Sequence, residues 1–292
     1  MSKYKKPFVI AEIGCNHKGD MSIAKELIKM AKIFCNVDAV KLQKRNNREL
    51  LTEEQYNAPH PNPANSYGDT YGAHREFLEF NVEQNKELQD YCNELGLTFS
   101  TSVWDLTSAK EMSSLNLDLI KIPSACNNNF EMLEWLALNY NGEIHVSTGM
   151  TYMDEVEQIV SLFEKHNRAK DVVIYNCTSG YPVPFKDVCL LEILKLKEKY
   201  EHRVKAIGFS GHHLGIAADV AAFTLGANYV ERHYTLDRTW KGTDHSASLE
   251  PDGMRKLVRD LNATFESLSF KKTEILDIEK VQRDKLKYRK AD

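Results

Sequence analysis

Ile144-His145-Val146-Ser147-Thr148-Gly149-Met150-Thr151-Tyr152-Met153-Asp154-Glu155-Val156-Glu157-Gln158-Ile159-Val160-Ser161-Leu162-Phe163-Glu164-Lys165 contains the unit from which the whole chain is built. It opens with a short β-rich apolar run, 144–148, and continues into a stretch of helical period, 153–165. Val156, Ile159, Val160 and Phe163 fall at i, i+3, i+4 and i+7, the spacing of a helix with one buried face. Outward from this unit the same alternation repeats. Strands are expected at 8–13, 39–43, 98–102, 119–122, 144–148, 172–176, 206–210 and 229–233, with clear helices at 21–34, 82–94, 153–165 and 214–225. Strands alternating with helices pair in parallel through right-handed crossovers. Eight such units close most economically into an α/β (β/α)8 TIM barrel. An open doubly wound sheet is the alternative, but the glycine-rich strand-to-helix turn of a dinucleotide fold is missing.

Two segments break the rhythm. Residues 45–79 far exceed the ~2–6 residues of an ordinary strand-to-helix connection, and Asn57-Ala58-Pro59-His60-Pro61-Asn62-Pro63 is turn-rich. This long loop after the second strand is expected to lie over the barrel mouth. Beyond Ser269 the chain is dense in Lys, Glu, Asp and Arg, with too few apolar residues for a core. The expected organisation is a single barrel domain over 1–268 and a short charged C-terminal tail, 269–292, forming a surface helix or strap.

The chain has 292 residues with a formal net charge of −4. That mild acidity argues against a nucleic-acid partner, which needs a basic face, but leaves room for a local cluster of cations around an anionic substrate. No apolar stretch approaches the ~18–20 residues of a membrane span. Met1-Ser2-Lys3-Tyr4-Lys5-Lys6 runs directly into the first strand rather than into a signal-peptide core. The six cysteines show no CxxC pair, so free thiols and a cytoplasmic location are expected.

Active sites of such barrels collect at the C-terminal ends of the strands. Those ends carry Lys41, Thr101, Lys121, Ser124 and Ser210, cations and hydroxyls arriving from different strands. That is the donor set a buried phosphate and carboxylate demand, although lysines flanking strands can also simply solvate a rim. His212 and His233 close neighbouring strands and could converge on one divalent cation, with His213 and His17 as rivals on the same grounds. A strand-end histidine is otherwise a hydrogen-bonded structural residue. Asp244, on the loop after the eighth strand, is a candidate base or metal-water partner, or a turn residue. Spacing alone therefore describes a metal-dependent, anion-binding barrel enzyme and does not name its reaction.

Ile10-Ala11-Glu12-Ile13-Gly14-Cys15-Asn16-His17-Lys18-Gly19 resembles the opening signature of the N-acetylneuraminate (sialic acid) synthase family. The likeness continues in order through Lys41-x-Gln43, Phe99-Ser100-Thr101, Lys121-Ile122-x-Ser124 and Ser147-Thr148-Gly149-Met150. It ends with Cys177-Thr178-x-x-Tyr181-Pro182, Ile207-Gly208-x-Ser210-x-His212 and Glu231-Arg232-His233. The resemblance implies a transferase that condenses phosphoenolpyruvate with N-acetylmannosamine or a related aldose and water. The products would be a 2-keto-3-deoxy nonulosonic acid and phosphate. It implies phosphoenolpyruvate contacts from Lys41, Thr101, Lys121, Ser124, Ser179 and Ser210, and sugar contacts from Glu12, Gln43 and Tyr181. His212 and His233 would hold Mn or Mg, with Asp244 beside them; Glu12, Lys121 and Asp244 are the expected catalytic groups. A homodimer is implied as well.

Three departures stand out. Where relatives carry an acid after the fourth strand, this chain has Ser124-Ala125-Cys126, and Ser179 replaces an Asn. Relatives usually continue into a small antifreeze-like domain that closes the sugar site across a dimer; Ile278-Glu279-Lys280-Val281-Gln282-Arg283 resembles the linker to it. The expectation is a chain without that domain, with residues 45–79, carrying His60, Tyr67, Tyr71 and Arg75, as a substitute lid. The rival readings are a 3-deoxy-octulosonate or heptulosonate type synthase, a metal-dependent aldolase or isomerase without phosphoenolpyruvate, and a catalytically inactive sugar-binding barrel.

Overall fold

All eight expected strands form in the computed structural model, which describes residues 4–288. They are β1 Phe8–Gly14, β2 Ala39–Lys44, β3 Thr98–Val103, β4 Leu119–Ile122, β5 Glu143–Ser147, β6 Val172–Cys177, β7 Ala206–Gly211 and β8 Tyr229–His233. Each pairs in parallel with the next, and β8 returns to β1, so the sheet is a closed barrel. The helix Met153–Lys165 buries Val156, Ile159, Val160 and Phe163, the face its spacing dictates. Helix starts are set locally. Asp20 accepts from the backbone of Ser22 and Ile23 before Met21–Ile33, and Asn81 with Gln84 forms a capping box on Val82–Glu94. The expected helix 214–225 starts later, at Ala217. Gly215 has φ of +73° and Leu214 is exposed, so residues 214–216 form a loop that no α-helix can begin in.

Two apolar layers hold the barrel. The larger lies between strands and helices and takes one alternate set of strand positions, among them Val40, Leu42, Ile120, Ile122, Ile144 and Val146. The smaller is inside: Ile10, Ala39, Val173, Tyr175 and Ala206, with Phe8 and Tyr229 packed against them. These are the early inward positions of their strands. The later ones are polar, as in Phe8, Ile10, Glu12 on β1 and Tyr229, Glu231, His233 on β8. The barrel is thus plugged at the end where strands begin and charged at the end where they finish.

Residues 45–79 are less loop-like than expected. They contain the short helices Asn47–Leu50, Glu53–Asn57 and Tyr71–Phe77 and a 3-10 turn, Pro63–Asn65. Thr52 and Thr70 cap two of these through their side chains, which explains helices too short to show a period. The charged tail forms the helix Asp277–Leu286, none of whose residues is buried. Residues 1–3 and 289–292, at the ends of the two expected spans, lie outside the described residues. All six cysteines are unpaired. Among the described residues no helix is long and apolar enough to cross a membrane.

Candidate active site

A cavity of about 730 Å³ opens at the C-terminal ends of the strands, with the inward positions as its floor and residues 45–79 as its roof. Glu12, Lys41, Gln43, Lys121, Ser124, Ser179, Tyr181, Ser210, His212, His233 and Asp244 all line it. Thr101 does not. Strand register sets Lys41 opposite Ser100 and Gln43 opposite Ser102, so the inward face of β3 holds the serines. Thr101 is in register with Leu42 and Ile120 in the outer core, buried, its hydroxyl without a partner among the described residues. The expectation for Thr101 is corrected by the two-residue alternation of a strand, and Ser102 takes its place at the cavity.

The floor is a row of alternating charges. Lys41 pairs with Glu12, donates to Ser102 Oγ at 2.6 Å and lies 3.9 Å from Glu231. Lys121 sits 2.9 Å from the Glu231 carboxylate and 3.8 Å from the centre of the Tyr175 ring, which presents its negative face. Ser210 donates to the other Glu231 oxygen at 3.0 Å. All four charged groups are nearly inaccessible, which is tolerable only because each has an opposite charge beside it. Burial, aided by Glu231, pushes the Glu12 carboxyl up to about 7 despite Lys41. Burial acts the same way on Glu231, but Lys121 and Lys41 together outweigh it and hold that carboxyl below its usual range. Burial lowers Lys121, which Glu231 only partly offsets.

His212 and His233 stand side by side, ring centres 5.3 Å apart. His212 Nδ1 lies 3.0 Å from the Thr178 carbonyl oxygen, an acceptor, so it carries the proton and leaves the Nε2 lone pair free. His233 Nδ1 is buried with no hydrogen-bond partner among the described residues; the Asp244 carboxylate is 3.9 Å away. Burial, then the neighbouring His233 for His212 and Lys41 for His233, pushes each ring down to about 3. Two neutral imidazoles, one with a fixed tautomer and one with an orphaned nitrogen, suit a divalent cation. Among the described residues no group of three or more His, Cys, Asp or Glu is placed to hold an ion; with two imidazoles, the rest of such an ion's shell would come from water or substrate.

The rival histidines are elsewhere. His213 is fully buried against Arg232 and Asp219, with Nε2 3.2 Å from the Asp219 carboxylate. His17 stacks on Phe80 at 4.1 Å and accepts from the Gly19 backbone. Neither lines the cavity.

The ends of β4, β5 and β6 meet at Gly149. Its amide donates to Ser124 Oγ at 2.9 Å, and a Cβ there would lie 2.4 Å from Ser179 Oγ. Glycine is what lets both hydroxyls reach the cavity. Cys126 points away, donating to the Val103 carbonyl at 3.6 Å, and burial raises its thiol far above the usual range. It is a packing residue, and Ala125 occupies the cavity wall at this turn. Sequence reasoning gave no role to Glu231, which joins both lysines. The signal was present: it stands two residues before His233, on the same face of β8.

Fold and site define a (β/α)8 barrel with a cavity lined by lysines, hydroxyls and histidines at the C-terminal ends of its strands. Residues 27–273 match the family described as the NeuB family. The chain is 39% identical over 284 residues to N-acetylneuraminate-9-phosphate synthase of Homo sapiens, covering 96% of this chain and 76% of that protein. To N,N'-diacetyllegionaminic acid synthase of Campylobacter jejuni it is 33% identical over 254 residues, covering 87% and 75%. N-acetylneuraminic acid (sialic acid) synthetase from Leptospira borgpetersenii superimposes with a TM-score of 0.80 at 28% identity, over 98% of this chain and 94% of that one. The chain belongs to the NeuB family of sialic acid and related nonulosonate synthases.

Proposed function

We propose that this protein joins phosphoenolpyruvate to the open-chain form of N-acetylmannosamine or a related aldose, with water, to give a 2-keto-3-deoxy nonulosonic acid and inorganic phosphate. The observation that carries the reading is the pair of buried lysines, Lys41 and Lys121, facing one cavity beside two neutral histidines. A small dianion entering there meets two ammonium groups and the hydroxyls of Ser102 and Ser124, each able to donate to an anionic oxygen, with Ser210 beside them on Glu231. The family likeness supports the same substrates, since the relatives are named as synthases of nine-carbon acid sugars.

That placement supports the following reaction. The methylene carbon of phosphoenolpyruvate attacks the aldehyde carbon, water adds to the carbon bearing the phosphate ester, and the carbon–oxygen bond to phosphate breaks. Lys41 and Lys121 would hold the phosphate while positive charge develops at the carbon that water attacks. Glu12 and Asp244 stand at the cavity wall, where they would take the proton that water loses on adding and supply the one that the aldehyde oxygen gains, and Gln43 and Tyr181 would orient the sugar. His212 Nε2 and His233 Nδ1 would hold the divalent ion, Mn or Mg, which when bound supplies polarisation of the aldehyde oxygen.

The test is release of inorganic phosphate from phosphoenolpyruvate with Mn, against N-acetylmannosamine, its 6-phosphate, mannose and 2,4-diacetamido hexoses. Release that depends on one of these aldoses is expected. Release with arabinose 5-phosphate or erythrose 4-phosphate instead would overturn the reading in favour of an octulosonate or heptulosonate synthase, and folded protein inert with every aldose would overturn it outright.

A further inference from the structure

We propose that the roof of the cavity is a phosphate subsite, built around Arg75, for an aldose phosphorylated at the end remote from its aldehyde; this rests on the synthase reading above. The roof segment, residues 45–79, presents a one-sided chemistry. Its cavity-lining side chains include Arg45, Arg75, His60 and His74 and no carboxylate. Four cations line the cavity. Lys41, Lys121 and Arg45 each face a carboxylate, of Glu12, Glu231 and Glu79 respectively. Arg75 makes no ion pair among the described residues. Its guanidinium instead lies between aromatic rings, 5.0 Å from the centre of Tyr71 and 5.6 Å from that of Trp104. A half-buried guanidinium set against ring faces, with one side-chain hydrogen bond to Tyr71, keeps the rest of its fork of donors for a ligand.

The histidines beside it are set as donors. The Asn62 amide donates to His60 Nδ1 at 3.0 Å, and the Tyr67 amide donates to His74 Nδ1 at 3.0 Å. With both Nδ1 atoms accepting, the proton of each neutral ring is on Nε2. The two rings touch edge to face, 4.4 Å between centres. Arg75 and the two Nε2–H groups therefore form an acceptor-poor group of donors, which suits three anionic oxygens on one phosphorus better than a row of sugar hydroxyls.

The roof is built to hold this face in place. Tyr71, His74, Arg75 and Leu78 recur at i, i+3, i+4 and i+7 on and just past the helix Tyr71–Phe77, and all four line the cavity. Its other side packs so closely on Tyr56 that a Cβ on Gly72 would lie 2.3 Å from that ring. Tyr67 donates to the Lys241 carbonyl at 2.5 Å, fastening the roof to the loop after β8. The phosphate of phosphoenolpyruvate is accounted for by the floor, so a second dianion is the ligand that matches what remains.

The experiment compares wild type, Arg75→Met and Arg75→Lys in two measurements. Calorimetry reads the binding of N-acetylmannosamine 6-phosphate and of N-acetylmannosamine to the full chain without phosphoenolpyruvate. Steady-state phosphate release gives the KM of each substrate. Wild type should bind the phosphorylated aldose at least tenfold more tightly than the unphosphorylated one. Arg75→Met, which keeps the stem between the rings, should weaken that binding by about 10- to 100-fold, with Arg75→Lys between the two and the phosphoenolpyruvate KM unchanged. Equal binding of the two aldoses by wild type, or an Arg75→Met effect on phosphoenolpyruvate alone, would overturn the subsite. Tight binding of the phosphorylated aldose, lost in Arg75→Met, without any phosphate release would sustain the subsite while sinking the synthase reading.

Discussion

The floor and the roof of one cavity are made on opposite plans. On the floor every charge has a partner: Glu12, Lys41, Glu231 and Lys121 form a continuous buried row on rigid strands. On the roof Arg75 stands outside any ion pair among the described residues, on a seven-residue helix within a connecting segment. A fully paired row keeps its geometry whether substrate is present or not, which is what chemistry common to a family needs. An unpaired cation on a connection can be changed without disturbing the barrel, which is how one fold serves several substrates.

The sharpest way to break this comparison is Glu231→Gln. Removing the shared carboxylate leaves Lys121 buried beside a neutral amide, so stability should fall by about 3–5 kcal/mol in denaturant titration. kcat should fall by about two to three orders of magnitude. Near-wild-type activity would show that the floor does not depend on paired charge. Next in size is His212→Ala, expected to lose about two orders of magnitude of Mn-dependent phosphate release. Chelation should silence wild type to the same level and leave the variant no lower.

On the roof, Gly72→Ala would drive a Cβ into the Tyr56 ring and shift the helix that carries Arg75. The aldose KM should rise about tenfold with the phosphoenolpyruvate KM unchanged, and stability should drop by about 1–3 kcal/mol. Equal rises in both KM values would mean that roof and floor are not separable.

A smaller effect concerns pH. Burial, then Arg45, pushes His17 down to about 3 in the folded protein, whereas an unfolded histidine takes up its proton near 6.5. Between those values the unfolded chain binds more protons, so stability falls as pH drops from about 6.5 towards 3. His17→Gln should show a shallower slope over that window in thermal melts; an unchanged slope would mean His17 is already protonated in the fold. Smallest of all is Thr101→Val. Its hydroxyl is buried without a partner and faces the helices, so kcat/KM should stay within about twofold and stability should hold. A large loss of activity would return Thr101 to the site.

Most of the site was legible because strand ends are where barrel chemistry gathers, and those ends could be located from local pattern alone. Eleven of the expected positions reach the cavity, from Glu12 to Asp244. Thr101 was misread for a specific reason. A parallel strand buried on both faces shows no polar alternation to reveal its phase, and Ser100-Thr101-Ser102 offers a hydroxyl at every position. His17 and His213 were equal in composition to the histidines that line the cavity. Only packing against Phe80 and against Arg232 with Asp219 separates them. His60 and Arg75 were expected on a lid and His74 was not singled out; which of the roof cations are unpaired depends on where Glu79 and Glu76 turn.

By itself the sequence determined the eight strands, the longer helices between them and the closing architecture, because short β-rich apolar runs and the 3.6-residue helical period are local properties of the chain. Tertiary structure decided which face of each strand looks inward and which charges meet across the barrel. Those are set by the stagger at closure, which brings Glu231 of β8 between Lys41 of β2 and Lys121 of β4, residues 190 and 110 positions away along the chain.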